Sequence, residues 1–365
     1  MTGLCFRVSL GDMTAREYQA IVVGASFGGL AVARQLRGDV LLLDRNEVGA
    51  VQTSACGTPL WVPEALGVGS SVLQVHQRFL LKSSTRTIHY DLSAVPFCTF
   101  DYRRFCQGLL AQCDARFLRT SVTGFEDGVV VTRDGRFTAP VVVDCSGWRS
   151  VLVHGARTTA PANGSYSFGL ETHTDRDGDA LVFFFDDSMD PRALGWVFPV
   201  GAGSLIGLGS YAGDSKLRSP LDRLLRAQEL APSTYHGTYF PNRLLRATAG
   251  RVFVVGDAAG QCLPLTAEGI RPALYFGTQC GALIQCVLDG RLALEAALES
   301  YLRLVERYRS AYRLLRWVQW LAMRAPTRWF AMLAALGNRA PLLPRWWPRY
   351  GQFGRLAPAP IGATP

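Results

Sequence analysis

None of the nine cysteines (5, 56, 98, 106, 113, 145, 262, 280 and 286) stands in a CxxC pair, and their number is odd. Neither a zinc knuckle nor a full disulfide framework is therefore indicated, and the expected setting is a reducing cytoplasm. The five histidines (76, 89, 154, 173, 236) share no metal-ligand spacing with an acidic cluster, so no metal site is assigned. No uninterrupted apolar run reaches the roughly 20 residues of a spanning helix, and the first residues lack the layout of a signal peptide. Residues 1–12 precede a second methionine, so either Met1 or Met13 is the start. Lysine is almost missing, with only Lys82 and Lys216, and a mere 18% of residues are charged. The net charge of +9 is nonetheless real, and its location decides what it means. From Tyr301 onward there are eleven arginines against Glu306, which leaves residues 1–300 close to neutral. A basic face for nucleic acid is thereby excluded from the body of the chain.

What is present is a chain of 365 residues, 48% apolar, long enough to bury a large core and enclose a cofactor. Residues 18–24 (YQAIVVG) form a short apolar run ending in glycine, residues 30–36 have helical composition, and residues 40–43 repeat the apolar run. Short buried strands alternating with helices predict a parallel sheet covered on both faces. Residues 71–92 read as a hairpin of two alternating runs joined at Lys82, Ser83 and Ser84, and residues 165–211 as further strands with no helical period. RVFVVGD (251–257) returns to the first layer and is followed by a long apolar helix over 269–288. The expected fold class is α/β: a Rossmann-like domain from 1–70, 93–160 and 245–299, an inserted, largely antiparallel sheet from 71–92 and 161–244, and a helical, basic, Trp-rich tail over 300–365.

Two motifs carry the chemistry. Gly24-Ala25-Ser26-Phe27-Gly28-Gly29 is a dinucleotide turn whose second glycine has become serine. Gly24 permits the tight turn, a small residue at 26 lets main-chain amides approach a pyrophosphate, and Gly29 allows helix and strand to pack closely. Asp44 ends the next strand 20 residues after Gly24, where a carboxylate accepts from an adenosine ribose. In Gly256-Asp257-Ala258-Ala259-Gly260 a second carboxylate leaves a strand end among small residues, suited to ribityl hydroxyls. Pro264 to Ile270 then leads into a helix whose first amides, near Gly269 and Ile270, would face the flavin ring. The two motifs describe the two ends of FAD.

These features resemble the geranylgeranyl reductase family, within the flavoproteins of the p-hydroxybenzoate hydroxylase fold, over about residues 18–290. Three further matches carry the resemblance. Cys56-Gly57 is similar to the pair this family places beside the flavin. Gly195-Trp196-Val197-Phe198-Pro199 with Gly207 is similar to the signature YxWxFPKxxxxxxG, whose aromatics line an isoprenoid pocket. Glu268-Gly269-Ile270 matches GEGI. The chain departs at Leu194, Val200 and Ala267, where the family has tyrosine, lysine and glycine, and these changes leave the substrate open. Tyr102 falls where relatives often carry an arginine near the flavin, and Arg103 or Arg104 is the candidate replacement.

The resemblance implies a cofactor-binding set of Gly24, Ser26, Phe27, Gly28, Gly29, Asp44, Arg45, Cys56, Gly57, Arg103, Gly256, Asp257, Pro264, Gly269 and Ile270, with Trp196, Phe198 and Pro199 lining the substrate pocket. Cys56 is the catalytic candidate, either positioning an alkene or delivering a proton after hydride transfer. The implied activity is reduction of isoprenoid C=C bonds by reduced FAD, the electrons coming from NAD(P)H, a ferredoxin or another donor protein. Two alternatives stay open: an FAD-dependent hydroxylase, and a non-redox carotenoid cyclase in which Glu171 would be the acid. Five of the eight tryptophans (317, 320, 329, 346, 347) share the tail with the eleven arginines, a composition suited to lying on the inner membrane surface.

Overall fold

The computed structural model describes residues 15–83, 86–155, 165–185 and 193–324, with 332, 334–336, 338, 350 and 354 from the C-terminal stretch. Met13, the division placed at 160/161, and Trp329, Trp346 and Trp347 lie outside the described residues.

Four of the short apolar runs form the parallel core of a six-stranded sheet. Its order is Thr248–Ala249, Val252–Val254, Val141–Asp144, Ala20–Val23, Val40–Asp44, Arg116–Arg119, and every pairing except that of the first edge strand is parallel. Burial on both faces explains why these strands read as continuous Val, Ile and Leu rather than as alternating patterns. Ala20, Val22 and Leu42 point to one face, under the helices Phe27–Ala33 and Ile270–Leu288. Ile21, Val23, Leu41 and Leu43 point to the other, against a small four-stranded sheet that contributes Val130 and Phe137.

The two helices touch backbone to backbone. A Cβ on Gly277 would fall 2.6 Å from the Gly28 carbonyl oxygen, and one on Gly281 2.6 Å from that of Val32. Glycines four residues apart thus form the contact face of the long helix, and they hold its N-terminus over the same cleft as the dinucleotide turn.

The second layer is a seven-stranded sheet ordered Tyr235–Pro241, Tyr166–Thr174, Ser204–Ser210, Ala193–Pro199, Leu181–Phe184, Arg78–Lys82, Thr87–Asp91. It is antiparallel apart from the pairing of Leu181–Phe184 with Arg78–Lys82. One face packs Val197, Ile206 and Leu208 against Leu217, Leu221 and Leu225, the last two on the helix Arg218–Ala227. The other presents Leu181, Phe198 and Leu205 to Ala55 and Phe97.

The hairpin expected over 71–92 is divided. Val72–His76 pairs with Phe97–Phe100 in a three-stranded sheet that also holds Gly57–Pro59, and only Arg78–Lys82 and Thr87–Asp91 form the hairpin of the large sheet. The chain changes sheets at Gln77, one of several polar residues in the run 72–81, so alternation alone gave no sign of the break.

After the long helix come Leu294–Glu306 and Arg309–Ala322. Tyr301, Val305 and Tyr312 are buried in the main core. Tyr301 Oη donates to the Val254 carbonyl at 3.1 Å and accepts from Gln261 at 2.9 Å, and Tyr312 Oη donates to the Gln261 carbonyl at 2.6 Å. These helices are integral to the first layer, clamping the loop after Asp257. Farther on, Tyr350 bonds Glu268 and Arg271, and Asn338 donates to the His89 carbonyl, so the described tail positions lie against both layers.

Candidate active site

The parallel strands end together, and the predicted ligand groups gather at that edge: Gly24 after Val23, Asp44 at its strand end, and Gly256-Asp257 after Val254. Ligand sites in open parallel sheets lie outside the carboxyl ends of the strands.

The turn is as tight as its glycines suggest. Gly24 has φ +104°, and a Cβ there would sit 2.2 Å from the Cys145 carbonyl oxygen; on Gly29 it would sit 1.8 Å from that of Gly24. Ser26 is different. Its φ is −110°, open to any residue, which explains why serine is accepted where the fingerprint has glycine. Its hydroxyl lies 3.0 Å from the phenol of Tyr102. Phe27 is buried in a cluster with Phe100, Tyr102 and Phe105. Asp44 accepts from the amides of Ala25 and Asn46, each at 2.8 Å, which braces the turn and leaves further lone pairs directed outward. Arg45 and Arg103 are exposed, and Gly49 packs on the Arg103 main chain.

At the other end, Gly256 and Gly260 adopt φ of +70° and +68° around Asp257. The Asp257 carboxyl has no hydrogen-bond partner among the described residues, and burial pushes its pKa up to about 6. Gly269 stands at the start of the long helix, where a Cβ would lie 3.7 Å from Asp257 Oδ1. Pro264 is buried in the preceding turn, as is Ile270 in the first helical position. An unpaired, half-buried carboxylate beside a bare helix N-terminus lacks the partners that buried polar groups require, and a polyhydroxyl chain supplies them. The residues present fit a dinucleotide that carries such a chain.

The segment 52–57 adjoins the dinucleotide turn through Tyr102, which bonds both Ser26 and Thr53. Cys56 is buried with φ +56°, a left-handed conformation that few non-glycine residues adopt. Its thiol donates to the Ser54 carbonyl at 3.2 Å, and burial, followed by the nearby Glu171 charge, pushes the thiol pKa well up. Gly57 is in contact with Phe198: a Cβ would come within 2.9 Å of the ring. Gly57 and Phe198, 141 residues apart in sequence, therefore meet directly.

Trp196 and Phe198 share the sheet face toward this turn. The Trp196 indole lies over bare backbone, since a Cβ on Gly207 would be 2.2 Å from it and one on Gly209 3.3 Å. Its Nε1 donates to Glu171 Oε2 at 2.8 Å. Pro199 points the opposite way along the strand and accepts from Thr99 at its carbonyl, so it anchors the strand end. Leu194, where the signature has tyrosine, is buried two residues before Trp196.

Sequence reading missed Gln52 and His236, and it treated Tyr102 as a gap. Both of the former bond Glu171. The Tyr102 phenol, held neutral by burial, bonds Ser26 and Thr53 and so ties the dinucleotide turn to the Cys56 segment. The unusual tyrosine was the signal. For His236 none existed, because its contact depends on strand register.

No family model matches the chain. It is 31% identical over 189 residues to the digeranylgeranylglycerophospholipid reductase of Methanosphaerula palustris, a match covering 48% of this chain and 46% of that one. The chain thus aligns with just under half the length of this curated relative. Among solved structures, a geranylgeranyl bacteriochlorophyll reductase-like protein from Thermoplasma acidophilum superimposes with TM-score 0.79 at 18% identity, over 90% of this chain and 93% of that one. The myxobacterial chondrochloren halogenase CndH, an FAD-dependent halogenase, gives 0.64 at 16% identity over 82% of each. The fold expected from the motifs is the observed one, and the sequence resemblance to geranylgeranyl reductases stands.

Proposed function

We propose that this chain is an FAD-dependent reductase that saturates C=C bonds in the geranylgeranyl-type chain of a membrane-associated lipid, quinone or pigment. The observation that carries the reading is the contact of Cys56-Gly57 with Phe198, beside the Trp196 plate and next to the dinucleotide turn. Apolar aromatic walls suit an isoprenoid, and their separation from bulk water suits hydride chemistry.

Gly24, Ser26, Phe27, Gly28 and Gly29 would hold the pyrophosphate of FAD. Asp44 would take the adenosine ribose, with Arg45 and Arg103 at the rim. Gly256 and Asp257 would hold the ribityl chain, and the amides near Gly269 and Ile270, with Pro264 before them, would meet the ring. When bound and reduced, the flavin supplies the hydride. Cys56, its proton committed to the Ser54 carbonyl, serves to seat the alkene. The relatives' names support the substrate class.

For the membrane, no helix among the described residues is long and apolar enough to cross one. Arg309–Ala322 carries an outward stripe of Leu314 (61% exposed), Trp317 (58%), Trp320 (47%) and Leu321 (37%), flanked by Arg313, Arg316 and Arg324. Such a face supports peripheral docking beside an oily substrate.

The test is anaerobic. Purified protein, reconstituted with FAD and reduced, is mixed with a geranylgeranyl-bearing glycerophospholipid. Reoxidation of the flavin by the lipid is expected. A reduced flavin that is reoxidised only by oxygen would contradict the reading.

A further inference from the structure

Glu171 is 3% exposed, yet it sits on the aromatic sheet face opposite the Cys56 segment. The sheet register explains its company, because His236, Glu171, Gly207, Trp196 and Phe183 lie in one row across five strands. Directly paired residues present their side chains on the same side. Among the described residues three groups reach the carboxylate: Trp196 Nε1 at 2.8 Å on Oε2, and His236 Nε2 at 2.5 Å and Gln52 Nε2 at 3.4 Å on Oε1. A lone buried carboxylate among aromatics is costly, and these partners make it tenable. A purely apolar wall would avoid the cost, so its presence calls for a chemical reason.

His236 belongs to the edge strand, and its side chain is 23% exposed against 4% for Glu171. The pair therefore runs from an accessible edge to the buried face. Cys56 also lies nearby, but its hydrogen points at the Ser54 carbonyl, and burial keeps the thiol protonated. It is poorly placed to give a proton away.

Resting on the reductase reading, we propose that Glu171 and His236 are the proton source for alkene saturation, Glu171 as the acid and His236 as its link to solvent. Two C–H bonds replace one C–C π bond. The hydride is taken from reduced FAD, which leaves oxidised. The proton leaves Glu171 for the neighbouring carbon, His236 returns one to the carboxylate, and water at the sheet edge reprotonates the imidazole. Among the described residues Oε2 accepts only the Trp196 N–H, which leaves a lone pair on which the transferable proton can be held. General acid catalysis of this kind is worth about 100-fold or more in rate.

The test compares wild type with Glu171→Gln, which keeps an acceptor for Trp196, and with His236→Ala. Each is reconstituted with FAD, reduced with dithionite and mixed anaerobically with a geranylgeranyl-bearing lipid. Reoxidation is expected to slow about 100-fold in Glu171→Gln. In His236→Ala it should slow as well and recover when imidazole is added. Independently of turnover, nitrogen NMR of labelled imidazole should show a strongly hydrogen-bonded His236 Nε2 in wild type and its release in Glu171→Gln. Reoxidation of Glu171→Gln within twofold of wild type would overturn the dyad and leave the reductase reading standing. A wild type inert to the alkene would overturn both.

Discussion

Ala267 stands where the resembled motif has glycine, and its φ is +53°. The left-handed conformation costs an L-residue about 1–2 kcal/mol, partly offset by alanine's smaller entropy when unfolded. Ala267→Gly should therefore stabilise the protein by up to about 1 kcal/mol, seen as a higher denaturation midpoint. A lower midpoint would contradict the strain argument. Asp257 offers a pH test. Its folded pKa of about 6 exceeds the ordinary 3.8, so its proton favours folding: that contribution is complete below 3.8 and is lost as pH rises through about 6. Cofactor-free Asp257→Asn should match wild type near pH 4 and exceed its stability at pH 8 by at most about 3 kcal/mol, while binding FAD more weakly. Equal melting of the two apo proteins at pH 8 would remove burial as the cause. Both positions show what residues reveal by themselves. A glycine missing from a motif marks a backbone constraint, and a carboxylate at a strand end marks a ligand. Whether the carboxylate is paired, as Asp44 is with Ala25, or unpaired, as Asp257 is, depends on neighbours distant in sequence.

The elements repeat this pattern. Strands with continuous apolar runs, such as Ala20–Val23 and Val40–Asp44, and the 19-residue helix Ile270–Leu288 were legible because local composition dictates them. The break at Gln77 and the row joining His236 to Trp196 were not, since register between strands 65 residues apart leaves no local trace. Register also explains Gly207, the last glycine of the resembled signature, whose purpose shows only when the indole is seen lying across it. Gly207→Ala would place a methyl 2.2 Å from the ring and must displace Trp196. FAD content should be retained while reoxidation by lipid falls at least tenfold, with altered tryptophan fluorescence. Unchanged reoxidation would show that the indole plate has no part in the pocket.

For the molecule as a whole, the described helices of the basic tail present two faces. The inner faces of Leu294–Glu306 and Arg309–Ala322 complete the core through Tyr301, Val305 and Tyr312, so removing everything after Glu299 would cost folding as well as any docking. The outer stripe is separable. Replacing Leu314 and Trp317 together by glutamate should leave the melting temperature within a few degrees and reduce cosedimentation with anionic liposomes at least tenfold. Undiminished cosedimentation would place membrane contact elsewhere. The central claim joins both layers: a flavin held at the parallel-sheet edge works on an alkene held by the aromatic sheet. Its most direct measurement is the mass of a geranylgeranyl-bearing lipid after anaerobic incubation with the FAD-loaded, reduced protein. Reduction predicts a gain of two hydrogens per double bond consumed, matched by the flavin oxidised. A lipid of unchanged mass, or a product that forms only with oxygen and carries an added oxygen atom, would contradict it.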